Sequence, residues 1–133
     1  MVIRNTFGKA ERLSLNNRIE ILFASGMTIS AYPIKIIWLP FQESMDFPVQ
    51  ILFTVSSKRF KKAVDRNRIK RQMKEIYRVE KKILYDELRE KNKQILIGFI
   101  YIGNDVKPQM EILRNKIREG IEILIASFNN RYL

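Results

Sequence analysis

Between Lys58 and Arg78 the chain places ten lysines and arginines against only two acids, Asp65 and Glu75. Clustered ammonium and guanidinium groups bind phosphate, and each phosphate they neutralise releases a counterion. Whether they act together depends on how the backbone arranges them. No Gly or Pro interrupts the stretch, and turning residues by about 100° each from Ala63 gathers Ile69, Met73, Ile76 and Tyr77 into one arc. That stripe predicts a helix packed on a core. Asn67, Arg68, Lys70, Arg71, Lys74 and Arg78 fall on another arc of roughly 160°, so their polar ends project together. Arg66 lies at the edge of the apolar arc, where it is expected to border a groove. A merely solvated helix face mixes Glu with Lys at i,i+4, because like charges at that spacing repel. Here Lys70 faces Lys74 and Lys74 faces Arg78. Such repulsion is tolerable when a polyanion neutralises it.

The rest of the composition excludes most catalysis by the protein itself. With no His there is no imidazole base and no Ser/His or Cys/His triad, and with no Cys there is no thiolate nucleophile and no disulfide. The acids are dispersed (Glu11, Glu20, Glu43, Asp46, Asp65, Glu75) and form no Asp-x-Asp pair for a metal. If the protein takes part in a reaction, another molecule supplies the chemistry. A net charge of +11 and a pI near 10.1 exceed what solubility needs and favour nucleic acid as that partner. No stretch approaches the roughly 20 apolar residues of a membrane span. The start lacks the apolar segment of an export signal, so no membrane partner and a cytoplasmic location are expected.

At 133 residues and 46% hydrophobic content, the chain suits one domain spanning 1–133. Residues 1–13, with Arg4, Lys9 and Arg12, read as a basic arm that orders on contact. Ser14 is placed to cap a helix carrying Leu15, Ile19, Leu22 and Phe23, which Gly26 ends. Thr28 to Leu39 reads as one strand with Pro33 at an edge or bulge and Pro40 closing it. Residues 41–48 then form a loop between antiparallel neighbours, and Val49 to Ser56 turns Ile51, Phe53 and Val55 to one side. After the basic helix, Val79 to Lys93 is helical, either continuing it or following a break, with Ile83, Leu84 and Leu88 inward. Ile95 to Ile102 is apolar at nearly every position and predicts a central strand. Pro108 suits a first helical position, and Ile112, Leu113, Ile117, Ile121, Leu124 and Phe128 stripe the last helix despite Gly120. The sum is a single compact α+β domain, a small mixed sheet with helices in the order α-β-β-α(α)-β-α. Phe23 and Trp38 suit either core packing or base stacking, and apolar residues on both parities leave Trp38's side open.

The run Ala63-Val64-Asp65-Arg66-Asn67-Arg68-Ile69-Lys70-Arg71, with Lys58-Arg59 before it and Glu75 and Arg78 after, resembles the Arg-Asn-Arg signature of the bacterial ribonuclease P protein subunit. The likeness extends from Arg12-Leu13 through Thr54-Val55-Ser56 to the final helix. It departs at Lys61, where the family has Gly, at Lys74, where it has Arg, and by one extra residue between Val55 and the basic pair. The resemblance implies a ribosomal protein S5-like fold. It also implies an accessory subunit, inactive alone, of an enzyme whose catalytic RNA removes the 5′ leader from precursor tRNA with magnesium. Contact with the RNA subunit would fall to Lys58, Arg59, Lys62, Arg66, Asn67, Arg68, Lys70, Arg71, Lys74 and Arg78. Phe23 and Ile19 would line a cleft for the leader, with Trp38 a lesser candidate; no catalytic residue and no metal ligand are assigned to the protein. Its partners would be the ribonuclease P RNA subunit and precursor tRNA, with the free protein a monomer. A basic RNA-binding scaffold, such as a ribosome-associated protein without a catalytic role, is the alternative.

Overall fold

β4 (Gln94–Tyr101) is the strand on which the others are hung. In the computed structural model, which describes residues 6–131, it pairs antiparallel with β2 (Ile34–Phe41) and parallel with β3 (Val49–Val55). β1 (Met27–Ala31) pairs outside β2, giving the order β1-β2-β4-β3. Buried on both faces, β4 has the unbroken apolar sequence expected of a central strand.

The helices are α1 (Asn16–Ser25), α2 (Ala63–Glu80), α3 (Lys82–Glu90) and α4 (Met110–Arg131), preceded by a short 3-10 turn at Lys9–Glu11. The element order is therefore α-β-β-β-α-α-β-α, one strand more than the sequence suggests. Thr28 to Leu39 is a hairpin, because Pro33 has no N–H for a ladder and the chain turns at Tyr32-Pro33. Pro40, expected to close the strand, stays inside β2: β1 ends opposite Trp38, so Pro40 is paired on one side only. Nor does the 41–48 loop join neighbours. β4 lies between β2 and β3, and α2 with α3 makes the long crossover that a parallel β3-β4 pair requires.

The larger core fills the side of the sheet facing α2, α3 and α4. Ile34, Ile36 and Trp38 of β2, Ile51, Phe53 and Val55 of β3, and Ile97, Phe99 and Tyr101 of β4 meet the helices there. Gly120 lets α4 lie close to the sheet, since a Cβ there would stand 2.5 Å from Ile36 Cδ1. The α4 stripe is as expected except that Ile112 is exposed, and Pro108 lies two residues ahead of the helix rather than inside its first turn. On α3, Tyr85 turns inward in place of Ile83. The other side of the sheet carries α1 and a smaller cluster of Leu13, Leu22, Ile37 and Leu96. Leu15, not Ser14, holds the N-cap position of α1, and no side chain caps it.

The crossover helix breaks at Lys81, which is 2% exposed. Its ammonium group donates to the Glu11 carboxylate and to the Thr6 carbonyl. Tyr85 donates to the same Glu11 Oε1 at 2.6 Å, and Tyr77 donates to the Tyr85 hydroxyl at 3.3 Å. The Glu11 Oε2 accepts from the Gly8 amide at 2.9 Å. Burial pushes both phenols well above the ordinary tyrosine range, with the Glu11 charge adding to the effect. The segment around Glu11 is thus built into the core, not left to order on contact: Leu13 is buried and its amide bonds to the Ile51 carbonyl at 2.9 Å. Arg4 lies outside the described residues.

Removing Glu11 would leave Lys81 a buried cation without its counter-charge. Glu11→Ala is expected to cost about 3–5 kcal/mol in urea unfolding; a loss under about 1 kcal/mol would show that the pair is not buried in solution.

Candidate nucleic-acid interface

The basic helix is seated as its periodicity predicts. Ile69, Met73, Ile76 and Tyr77 are its buried residues. On the opposite side Asn67, Arg71 and Lys74 are exposed and Lys70 is half-buried. Among the described residues no acid answers the side chains of Lys70, Arg71 or Lys74, and the same holds for Lys58, Lys61 and Lys62 in the loop before the helix. That loop is pinned by Phe60, 5% exposed, whose ring packs 5.9 Å from that of Tyr101. A buried aromatic in the middle of the loop turns its cations outward.

Four signature arginines are engaged within the protein. Arg66 is half-buried and donates to the carbonyls of Phe60 at 2.7 Å and Lys61 at 2.9 Å. Arg68 donates to Asp65 at 3.0 Å and to the Val106 carbonyl at 2.8 Å. Arg59 reaches the loop after β4, bonding the carbonyls of Ile102 and Gly103 and, at 3.3 Å, Asn104 Oδ1. Arg78 pairs with Glu75 at 2.6 Å; its hydrogen bonds hold that carboxyl below the usual range and its own guanidinium above.

Beside the exposed side of α2 a surface cavity of about 210 Å³ is lined by Lys70 and Lys74, Arg12 and Leu13 from the N-terminal segment, and Ile51 to Phe53 of edge strand β3. Leu52 also belongs to the cluster under α1, so the cationic face and the α1 side of the sheet meet along β3.

On that second side α1 crosses β4 at Gly98. A Cβ on Gly98 would press on Ile37 Cγ2 at 3.0 Å, while Phe23 Cζ, at 3.8 Å, lies at ordinary contact distance; Phe23 rests over the strand there and remains 46% exposed. Ile19 is partly buried in the same cluster, with Leu52 and Ile100. Trp38 is not there. Alternation along β2 turns Ile37 toward α1 and Trp38 into the larger core, where it is 1% exposed and 6.2 Å from the Phe128 ring, so it cannot line a cleft on the α1 side. Arg18, which sequence reasoning passed over, stands 4.6 Å over the Phe41 ring and donates to Gln50 at 2.9 Å. Only its place next to Ile19 on α1 hinted at this position. Among the described residues no group of three or more carboxylates comes together. No helix among them is long and apolar enough to cross a membrane.

The family model for Ribonuclease P matches residues 7–98, from the N-terminal segment through β1 to β3 and the whole of α2 into the first half of β4. The chain belongs to the ribonuclease P protein family. A ribonuclease P protein component from Porphyromonas gingivalis is 35% identical over 118 residues, covering 87% of this chain and 85% of that protein. One from Chlorobium phaeobacteroides is 37% identical over 122 residues, covering 85% and 84%. The solved ribonuclease P protein of Staphylococcus aureus shares the fold, with a TM-score of 0.67 at 19% identity over 87% of this chain and 96% of that one. That of Thermotoga maritima does so with a TM-score of 0.57 at 22% identity over 86% and 94%. Ribonuclease P proteins are components of an endoribonuclease of tRNA 5′ processing whose catalysis is carried by RNA, so the RNA subunit is this chain's partner and the scaffold reading is not favoured.

Trp38 is the chain's one tryptophan. Its emission is expected to be blue-shifted and unresponsive to iodide, and added RNA should leave it unchanged; a red-shifted, quenchable signal would place Trp38 at the surface.

Proposed function

We propose that the outward side of α2, with the loop before it, binds the RNA subunit of ribonuclease P, and that the α1 side of the sheet takes the 5′ leader of precursor tRNA. One observation carries the reading: Lys58, Lys61, Lys62, Lys70, Arg71 and Lys74 have no internal acidic partner among the described residues, and their surface runs into the Phe23 side across Leu52. Free cations release phosphate counterions when RNA docks, which draws two mutually repelling RNAs together. Phe23, half-exposed over Gly98, offers a stacking surface worth about 1–3 kcal/mol for one unpaired base. The protein donates no catalytic group in this account. Magnesium belongs to the RNA-containing assembly, and the cationic face assists by lowering repulsion between the RNAs, which reduces the magnesium needed to screen them. The free protein acts as a monomer.

The test is reconstitution of precursor-tRNA cleavage with the cognate RNA subunit at low magnesium, where the protein should restore activity that the RNA alone lacks. Arg71→Ala and Lys74→Ala should each reduce the slope of log affinity for the RNA subunit against log salt by about one ion. Phe23→Ala should weaken binding of leader-bearing substrate by roughly 5–150-fold and leave leaderless tRNA unaffected. Unchanged slopes would remove α2 from the interface, and equal losses with both substrates would remove Phe23 from leader binding.

A further inference from the structure

Resting on the reading that α2 faces RNA, we propose that Arg59, Arg66 and Arg68 are positioning residues: their guanidinium groups clamp the two loops flanking the start of α2, and the lysines those loops and α2 present are the phosphate contacts. The three arginines share one chemistry. Each donates to backbone carbonyls that end a strand or lead into a helix, where the chain has no ladder to satisfy them. Arg66 takes the Phe60 and Lys61 carbonyls at 2.7 and 2.9 Å, fixing the loop that carries Lys58, Lys61 and Lys62 to the helix that carries Lys70 and Lys74. Arg68 takes the Val106 carbonyl at 2.8 Å while Asp65 holds its charge at 3.0 Å, and its Nε is buried although the side chain as a whole is 32% exposed. Arg59 takes the Ile102 and Gly103 carbonyls from the other loop. Two further bonds hold the 102–109 loop: Gln72 donates to the Pro108 carbonyl at 3.0 Å and Tyr101 to the Asp105 carbonyl at 2.8 Å.

Each of the three makes its bonds through one terminal guanidinium nitrogen, Nη1 in Arg59 and Arg66 and Nη2 in Arg68. That nitrogen is carried on a rigid plane and reaches one bond further than a lysine ammonium on its flexible stem, so lysine does not reproduce the contacts. The consequence for RNA is preorganisation. Loops fixed before binding lose less freedom on docking, so the clamps raise affinity without adding an ion to the salt slope.

Charge-preserving variants separate the two roles. Arg66→Lys and Arg68→Lys should accelerate amide exchange in residues 56–62 and 102–109 of the free protein by about tenfold or more. At a temperature where both are folded, they should weaken RNA-subunit binding by a similar factor at every salt concentration, leaving the slope as in the parent. Arg114→Lys, at an exposed position of α4 outside the proposed contacts, should change neither. Arg59→Lys is the milder variant if either other fails to fold, with its effect read at Ile102 to Asn104. Native exchange rates in the lysine variants would overturn the proposal, as would affinity unchanged in the folded variants or a salt slope reduced by Arg68→Lys. The exchange measurement needs no RNA, so it judges the clamps even if the RNA-binding reading fails.

Discussion

Everything in this protein that bears on RNA depends on one helix being held from one side only. α2 buries Ile69, Met73, Ile76 and Tyr77 against the sheet and leaves Lys70, Arg71 and Lys74 without acidic partners among the described residues. The two conditions oppose each other. A face of like charges destabilises an isolated helix by a few tenths of a kcal/mol for each close pair, so packing of the apolar stripe has to make up the difference. Four well-buried side chains supply several times that amount. The charged face is therefore stable without an internal acid to neutralise it, and stays available to phosphate.

Rigidity at the two ends of α2 follows from different chemistry. At its start, guanidinium groups satisfy loop carbonyls; at its end, the buried Lys81–Glu11 pair ties the break between α2 and α3 to the N-terminal segment. A buried ion pair is weak evidence for net stability, but it is specific about geometry, since either partner alone would be an unpaired charge in the core. Here it fixes where Arg12 and Leu13 lie along β3, and so completes the cavity beside Lys70 and Lys74.

The sequence disclosed whatever has a strong period or an uninterrupted run. Both faces of α2 follow from a 3.6-residue repeat, and β4 from its unbroken apolar stretch. What it hid was decided by distant partners. Nothing local says that β4 inserts between β2 and β3, that Pro33 turns a hairpin where a single bulged strand was equally consistent, or that Glu11 finds Lys81 70 residues away. Trp38 was ambiguous because β2 is apolar on both parities and is covered on both faces. The arginines of the signature were legible as cations but not as clamps, because their acceptors are backbone carbonyls, and a carbonyl has no letter in the sequence.

Lysine acylation read by mass spectrometry, with and without the RNA subunit, tests the central claim most directly. In the free protein Lys58, Lys61, Lys62 and Lys74 should react readily and half-buried Lys70 more slowly, while Lys81, 2% exposed, should stay unmodified throughout. RNA should protect Lys70 and Lys74 together with the loop lysines and leave Lys116 of α4 as reactive as before. If Lys70 and Lys74 react equally in the complex and in the free protein, α2 does not face the RNA and the account fails.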